Sequence, residues 1–158
     1  MCKFGKGSTR SSSSRPLLRS SRKLKRKKGK MPLLEETVKG YEAFKEKIAI
    51  LEKSHNKIYI VFTGGEEKTS RLSWCPDCND FYTTFAAFKM KHQLEGFLLY
   101  VDVGQRGEWK DKASPFRTDP LLKLTSIPTL MMWGTPKKLS NDLILQEDAL
   151  EMLFEDDD

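Results

Sequence analysis

Two cysteines, Cys75 and Cys78, stand where an apolar run gives way to a helical pattern, and no other stretch constrains the chain as much. Upstream, Ile58 to Phe62 is a continuous run of β-branched and aromatic residues, the mark of a central strand covered on both faces. Downstream, Phe81, Phe85 and Phe88 continue the face of Cys78 at helical spacing. That stripe predicts an inward-pointing Cys78 and leaves Cys75 accessible. Positions i and i+3 share a helix face, so the two sulfurs can come within bonding distance. Cys75 falls at the helix N-terminus, where unpaired N–H groups and the helix dipole favour thiolate over thiol. Pro76 suits the first turn, because its missing N–H costs nothing there. Such a pair points to thiol–disulfide chemistry.

The flanking segments predict what this junction is built into. From Thr37 the pattern reads as helical, with Val38, Tyr41, Phe44, Ile48 and Leu51 on one face, and Ser54-His55-Asn56 ends it. Gly64 to Ser73 is a polar loop, long enough to shape the rim of a site. Phe97 to Val103 reads as the next strand, and strand–helix–strand of this length implies a parallel pair with a right-handed crossover. Gly104 to Pro120 reads as irregular, with a short helix over Leu121 to Leu124. Ile127-Pro128 introduces a strand over Thr129 to Trp133, and a cis bond is expected there. Gly134-Thr135-Pro136 marks a turn before an antiparallel strand within Lys137 to Leu145. Ala149, Leu150, Leu153 and Phe154 then form an amphipathic helix, with Glu147 and Asp148 suiting its dipole. The sum is an α/β thioredoxin arrangement, a central mixed β-sheet flanked by helices. In it the CxxC follows the first central strand and the X-Pro comes about fifty residues later.

Charge divides the chain. Of its 28 Lys and Arg residues, 12 lie in residues 1–30 with no Asp or Glu, which leaves 16 basic against 22 acidic residues beyond. Residues 1–30, rich in Ser, Arg and Lys, cannot bury enough apolar area to offset chain entropy and read as a disordered basic leader. Residues 31–158 form the domain, with Met31 a possible alternative start, and the terminal Asp156-Asp157-Asp158 reads as solvated. The Arg22 to Lys30 cluster also fits a nuclear signal or a nucleic-acid patch, and the acid-free leader an organellar transit segment. A tail-driven nucleic-acid binder would show steep salt dependence lost on deleting residues 1–30. No run of eighteen apolar residues and no secretory apolar core occurs, so neither a membrane span nor a secretory signal is expected, and a nucleic-acid partner is not the leading expectation. Three cysteines do not make a disulfide-stapled fold. Zinc would need four ligands, and Cys2, His55 and His92 are not spaced as a second pair, so no metal is expected.

Several further segments carry a family resemblance: Phe62-Thr63-Gly64, Ser73 to Cys78, Val103-Gly104, Trp109-Lys110-Asp111, Phe116-Arg117, Ile127-Pro128-Thr129-Leu130, Gly134-Thr135-Pro136 and Glu151-Met152-Leu153-Phe154. On them, residues from Met31 onward resemble the WCPDC branch of the thioredoxin superfamily. These are the proteins called thioredoxin domain-containing protein seventeen, or thioredoxin-related protein of fourteen kilodaltons, and Clot in plants. The resemblance implies a disulfide reductase in which Cys75 attacks and Cys78 resolves. It implies a cytoplasmic protein recycled by NADPH-dependent thioredoxin reductase, with no bound cofactor. It also implies action on small or selected disulfides such as cystine, and a weaker peroxidase activity.

Trp74, Pro76, Asp77, Ile127 and Pro128 would support the site. Trp74 would face substrate, and Asp77 would disfavour the thiolate or repel acidic partners. Ile127 and Pro128 would form a platform over Cys75 where backbone can pair with an extended substrate. Trp109, Phe116 and Arg117 read as structural, and His55 and His92 as solvated residues near helix ends. The sequence departs from the family where a helix proline is usual five residues after the second cysteine: Thr83 stands there. A straighter helix would follow, which bears on the orientation of Cys78 and on substrate preference and leaves the chemistry intact. A monomer is expected. The competing reading is a redox-inactive binding adaptor, which would need neither cysteine.

Overall fold

A computed structural model describes residues 32–155. The expected leader, Cys2 and the acidic residues 156–158 lie outside the described residues. The elements run β1 (Leu33–Lys39), α1 (Tyr41–Ser54), β2 (Ile58–Thr63), α2 (Pro76–Lys91), β3 (Gly96–Asp102), α3 (Arg106–Lys110), α4 (Pro115–Thr118), β4 (Thr129–Met132), β5 (Lys138–Ser140), a 3₁₀ turn (Asn141–Leu145) and α5 (Glu147–Phe154).

The five strands form one mixed sheet in the order β1-β3-β2-β4-β5. β3 pairs in parallel with both β1 and β2, while β4 runs antiparallel to β2 and to β5. Every residue of β2 is buried, because the strand is covered on both faces. Ile58, Ile60 and Phe62 point to one side, with Phe44, Ile48 and Leu51 of α1 in the same cluster. Tyr59 and Val61 point to the other, with Phe81, Phe85 and Phe88 of α2 and Leu150 and Leu153 of α5. The period of two in the strand thus meets the period of three and four in the helices. Rings lock both layers: Phe44 meets Phe62 edge-on at 5.6 Å and Trp133 at 6.0 Å, and Phe81 stacks on Phe85 at 5.2 Å. This is the thioredoxin fold, α/β, expected from the strand–helix–strand unit.

Four local expectations need correction. Thr37 and Val38 do not open the first helix; they belong to β1, and α1 starts at Tyr41. Gly40, at φ 89°, makes the break, a left-handed conformation that favours glycine. The span from Gly104 to Pro120 holds α3 and α4, the first begun by a reciprocal Gln105–Glu108 capping box and the second by Ser114. Leu121 to Leu124 forms a turn rather than a helix, since Asp119 bonds back to the N–H groups of Leu121, Leu122 and Lys123. Within Lys137 to Leu145 only Lys138–Ser140 is strand, and Asn141, at φ 56°, turns the chain into the 3₁₀ segment. Helix α2 runs without interruption through Thr83, whose hydroxyl lies 3.4 Å from the Asn79 carbonyl. No helix among the described residues is long and apolar enough to cross a membrane.

Candidate active site

The C-terminal end of β2, the loop that follows it and the first turn of α2 build the site. Cys75 is the N-cap of α2 and Pro76 opens its first turn. The Cys75 sulfur accepts the Cys78 N–H at 3.3 Å, the role that a Ser or Asp oxygen usually plays at a cap. Ser73 fixes the approach: its hydroxyl donates to the Gly64 carbonyl at 2.9 Å and accepts the Cys75 N–H at 3.1 Å. Asn79 clamps the same residue, accepting from the Ser73 N–H at 3.0 Å and donating to its carbonyl at 2.9 Å. The loop is therefore tied to both the strand and the helix it connects.

The two thiols sit in unlike surroundings. Cys78 is fully buried, and its sulfur accepts from the Gly64 N–H at 3.4 Å. Its thiol donates to Cys75, and that bond together with burial pushes its pKa far up, so it keeps its proton. The same bond lowers Cys75 to about 7, outweighing burial and the nearby Asp77 charge, both of which oppose ionisation. The Asp77 charge disfavours the thiolate while its backbone N–H favours it. Both cysteines are unbridged. One expectation fails here: Cys75 is buried, 5 % exposed, rather than freely accessible. The cause is the Ile127 platform, whose carbonyl oxygen lies 3.8 Å from the Cys75 sulfur. The Ile127–Pro128 bond is cis, and both residues are buried at the start of β4.

Cys75 lies at the floor of an open groove of about 470 Å³. Trp74, Pro76, Asp77 and Ile127 also line it, whereas Pro128 and Cys78 are buried and do not. Trp74 is half-buried, donating its indole N–H to the Gly104 carbonyl at 2.8 Å. Gly64 lets that ring in: a Cβ there would fall 2.7 Å from it. The remaining wall was not foreseen as part of the site. Arg106, Lys110, Lys112 and Arg117 line it with Trp109, Thr125 and Ser126. Arg106 lies over the Trp74 ring at 5.1 Å; Arg117 lies over Trp109 at 4.0 Å and donates to the Trp109 carbonyl at 2.7 Å. Arg117, expected to be structural, is thus tied to Trp109 and at the same time lines the groove. The two histidines sit elsewhere. His55 caps α1 and packs against Phe97, while His92 caps α2 and bonds Glu147 at 3.0 Å.

Comparison with known proteins agrees with this geometry. Residues 37–156 match the thioredoxin domain of the thioredoxin domain-containing protein 17-like family. The chain is 37 % identical to human thioredoxin domain-containing protein 17 over 124 residues, covering 78 % of this chain and 96 % of that protein. The mouse protein of the same name is 36 % identical over the same shares. The rice thioredoxin-like protein Clot is 32 % identical over 103 residues, 61 % of this chain and 74 % of that protein. With a thioredoxin fold, a Cys75–Cys78 pair at its helix cap and these relatives, the chain belongs to the thioredoxin domain-containing protein 17-like family.

Proposed function

We propose that the protein is a thiol–disulfide reductase in which Cys75 is the attacking group and Cys78 the resolving one. The observation that carries this reading is the split between the thiols: Cys75 brought down to about 7 beside a Cys78 that stays protonated. The Cys75 thiolate attacks one sulfur of a substrate disulfide. That S–S bond breaks, a mixed disulfide forms and the first substrate thiolate departs. Cys78 then attacks the Cys75 sulfur, its proton passing to the second departing thiolate. The balance is one disulfide reduced to two thiols and one Cys75–Cys78 disulfide formed, a two-electron exchange. Ile127 and Pro128 form the platform against which an extended substrate lies, with Trp74, Pro76 and Asp77 around the sulfur.

The electrons reside in the cysteine pair, so no bound cofactor is required. Thioredoxin reductase, drawing on NADPH, returns the disulfide to the dithiol. The substrates are small disulfides such as cystine and selected proteins, with peroxide reduction a minor activity, and the protein works as a cytoplasmic monomer. The test is NADPH consumption with thioredoxin reductase, using cystine and then insulin as acceptors. Turnover on cystine with little on insulin is expected. Cys75→Ser should abolish it and Cys78→Ser should accumulate a mixed disulfide. Full activity in either variant would overturn the mechanism, and no turnover with titratable free thiols would favour a binding adaptor.

A further inference from the structure

The groove that holds Cys75 is cationic. Arg106, Lys110, Lys112 and Arg117 face one carboxylate, Asp77, so its side chains carry three more positive than negative charges. None of the four is engaged in an ion pair among the described residues, although ion pairs such as Lys47–Glu36 and Lys89–Glu35 form elsewhere. Two of the cations are held in place. The Arg106 and Arg117 guanidinium groups lie over indole rings, at 5.1 and 4.0 Å, which limits their freedom to seek partners elsewhere. Lys110 and Lys112 are exposed on the same wall. The Ser126 hydroxyl, buried just before the Ile127–Pro128 platform, has no hydrogen-bond partner among the described residues. The body of the domain is otherwise acidic, 16 basic against 22 acidic residues after residue 30, so the cations are gathered here against the overall balance.

From these observations we infer that the preferred substrates are disulfides flanked by anionic groups. This rests on the reductase reading above and narrows it to a substrate class. A carboxylate beside the scissile S–S bond meets the cations as the sulfur approaches Cys75. The same wall repels disulfides of net positive charge, while zwitterionic cystine, with two carboxylates and two ammonium groups, falls between the extremes. A cleft lined by one sign of charge raises the local concentration of the opposite sign and the encounter rate, and salt weakens the effect. Asp77 works against this preference from the helix side, which makes its removal a second handle.

The test is single-turnover oxidation of the reduced full-length protein, without reductase, followed by intrinsic tryptophan fluorescence. The probes are dithiodiglycolate (anionic), hydroxyethyl disulfide (neutral) and cystamine (cationic). Each rate is divided by that of the same disulfide with mercaptoethanol, which removes intrinsic leaving-group differences. At low ionic strength the normalised rates should fall in the order anionic, neutral, cationic, with roughly tenfold between the extremes. The spread should shrink at high salt and in a Lys110→Glu/Lys112→Glu variant, and widen in Asp77→Asn. A parallel pair of peptide disulfides, one Glu-flanked and one Lys-flanked, tells whether a protein substrate obeys the same rule as a small one. Equal normalised rates, or the cationic probe fastest, would overturn the inference and leave the reductase standing. No oxidation by any probe would remove both.

Discussion

Replacing Cys78 by alanine tests the origin of Cys75 reactivity. The Cys78 thiol is the largest influence holding Cys75 near 7, ahead of the Cys78 and Asp77 N–H groups at the helix cap. Without that donor, Cys75 should return toward the ordinary thiol value of about 8.5. The change of about 1.5 units corresponds to about 2 kcal/mol of lost thiolate stabilisation. At pH 7 the thiolate fraction then falls from about one half to about 3 %, roughly sixteenfold. A more basic thiolate is also more nucleophilic, by about fivefold for this change at a Brønsted slope near 0.45, so the net rate should fall only about threefold. Two assays separate the two effects. Ultraviolet absorbance of the thiolate across pH gives the midpoint directly, and iodoacetamide alkylation gives the rate. Cys78→Ser keeps a hydroxyl donor and should hold the midpoint close to 7. If the alanine variant also titrates near 7, the helix cap alone sets the value and the thiol–thiol bond contributes nothing.

Three further outcomes follow from the same coordinates. The stability of the reduced protein should pass through a maximum near pH 8.5, read as the difference from a Cys75→Ala/Cys78→Ala variant in urea. Cys75, lowered in the fold, has lost its proton above about pH 7 while the unfolded chain keeps both until about 8.5, so stability rises across that window. Cys78, raised in the fold, still holds its proton above 8.5 where the unfolded chain holds none, so stability then falls; a monotonic difference would contradict the split. Gly64→Ala should cost about 1–3 kcal/mol, because the new Cβ enters the Trp74 ring that is bonded to the Gly104 carbonyl. Urea unfolding measures the loss, and an unshifted tryptophan emission would show that the ring did not move. Phe44→Ala removes a fully buried ring from between Phe62, Phe116 and Trp133 and should cost about 3–5 kcal/mol by the same method.

Much of the redox site could be read from the chain because it is local. The apolar run of β2, the CxxC and the stripe of Phe81, Phe85 and Phe88 lie within about thirty residues, and their periodicities need no partner to be recognised. Even the departure at Thr83 changes nothing in the continuity of α2. β1 escaped because its Leu34, Glu35 and Glu36 are exposed on a sheet edge, and only pairing with β3 makes a strand of them. Val38 then fell by coincidence on the helical spacing of Tyr41 and Phe44, although Gly40 was the available sign of a break.

The sequence alone thus determined the strand–helix–strand unit, the cap position of Cys75 and the inward face of Cys78, since each depends on neighbours a few residues away. The tertiary structure decided how Cys75 is enclosed and what surrounds it. Its contact with Ile127 spans 52 residues, and Arg106, Lys110, Lys112 and Arg117 join it only when the chain after β3 folds back as α3 and α4. Lining a groove is a matter of distance through space, and residue spacing carries no record of it once the chain has turned.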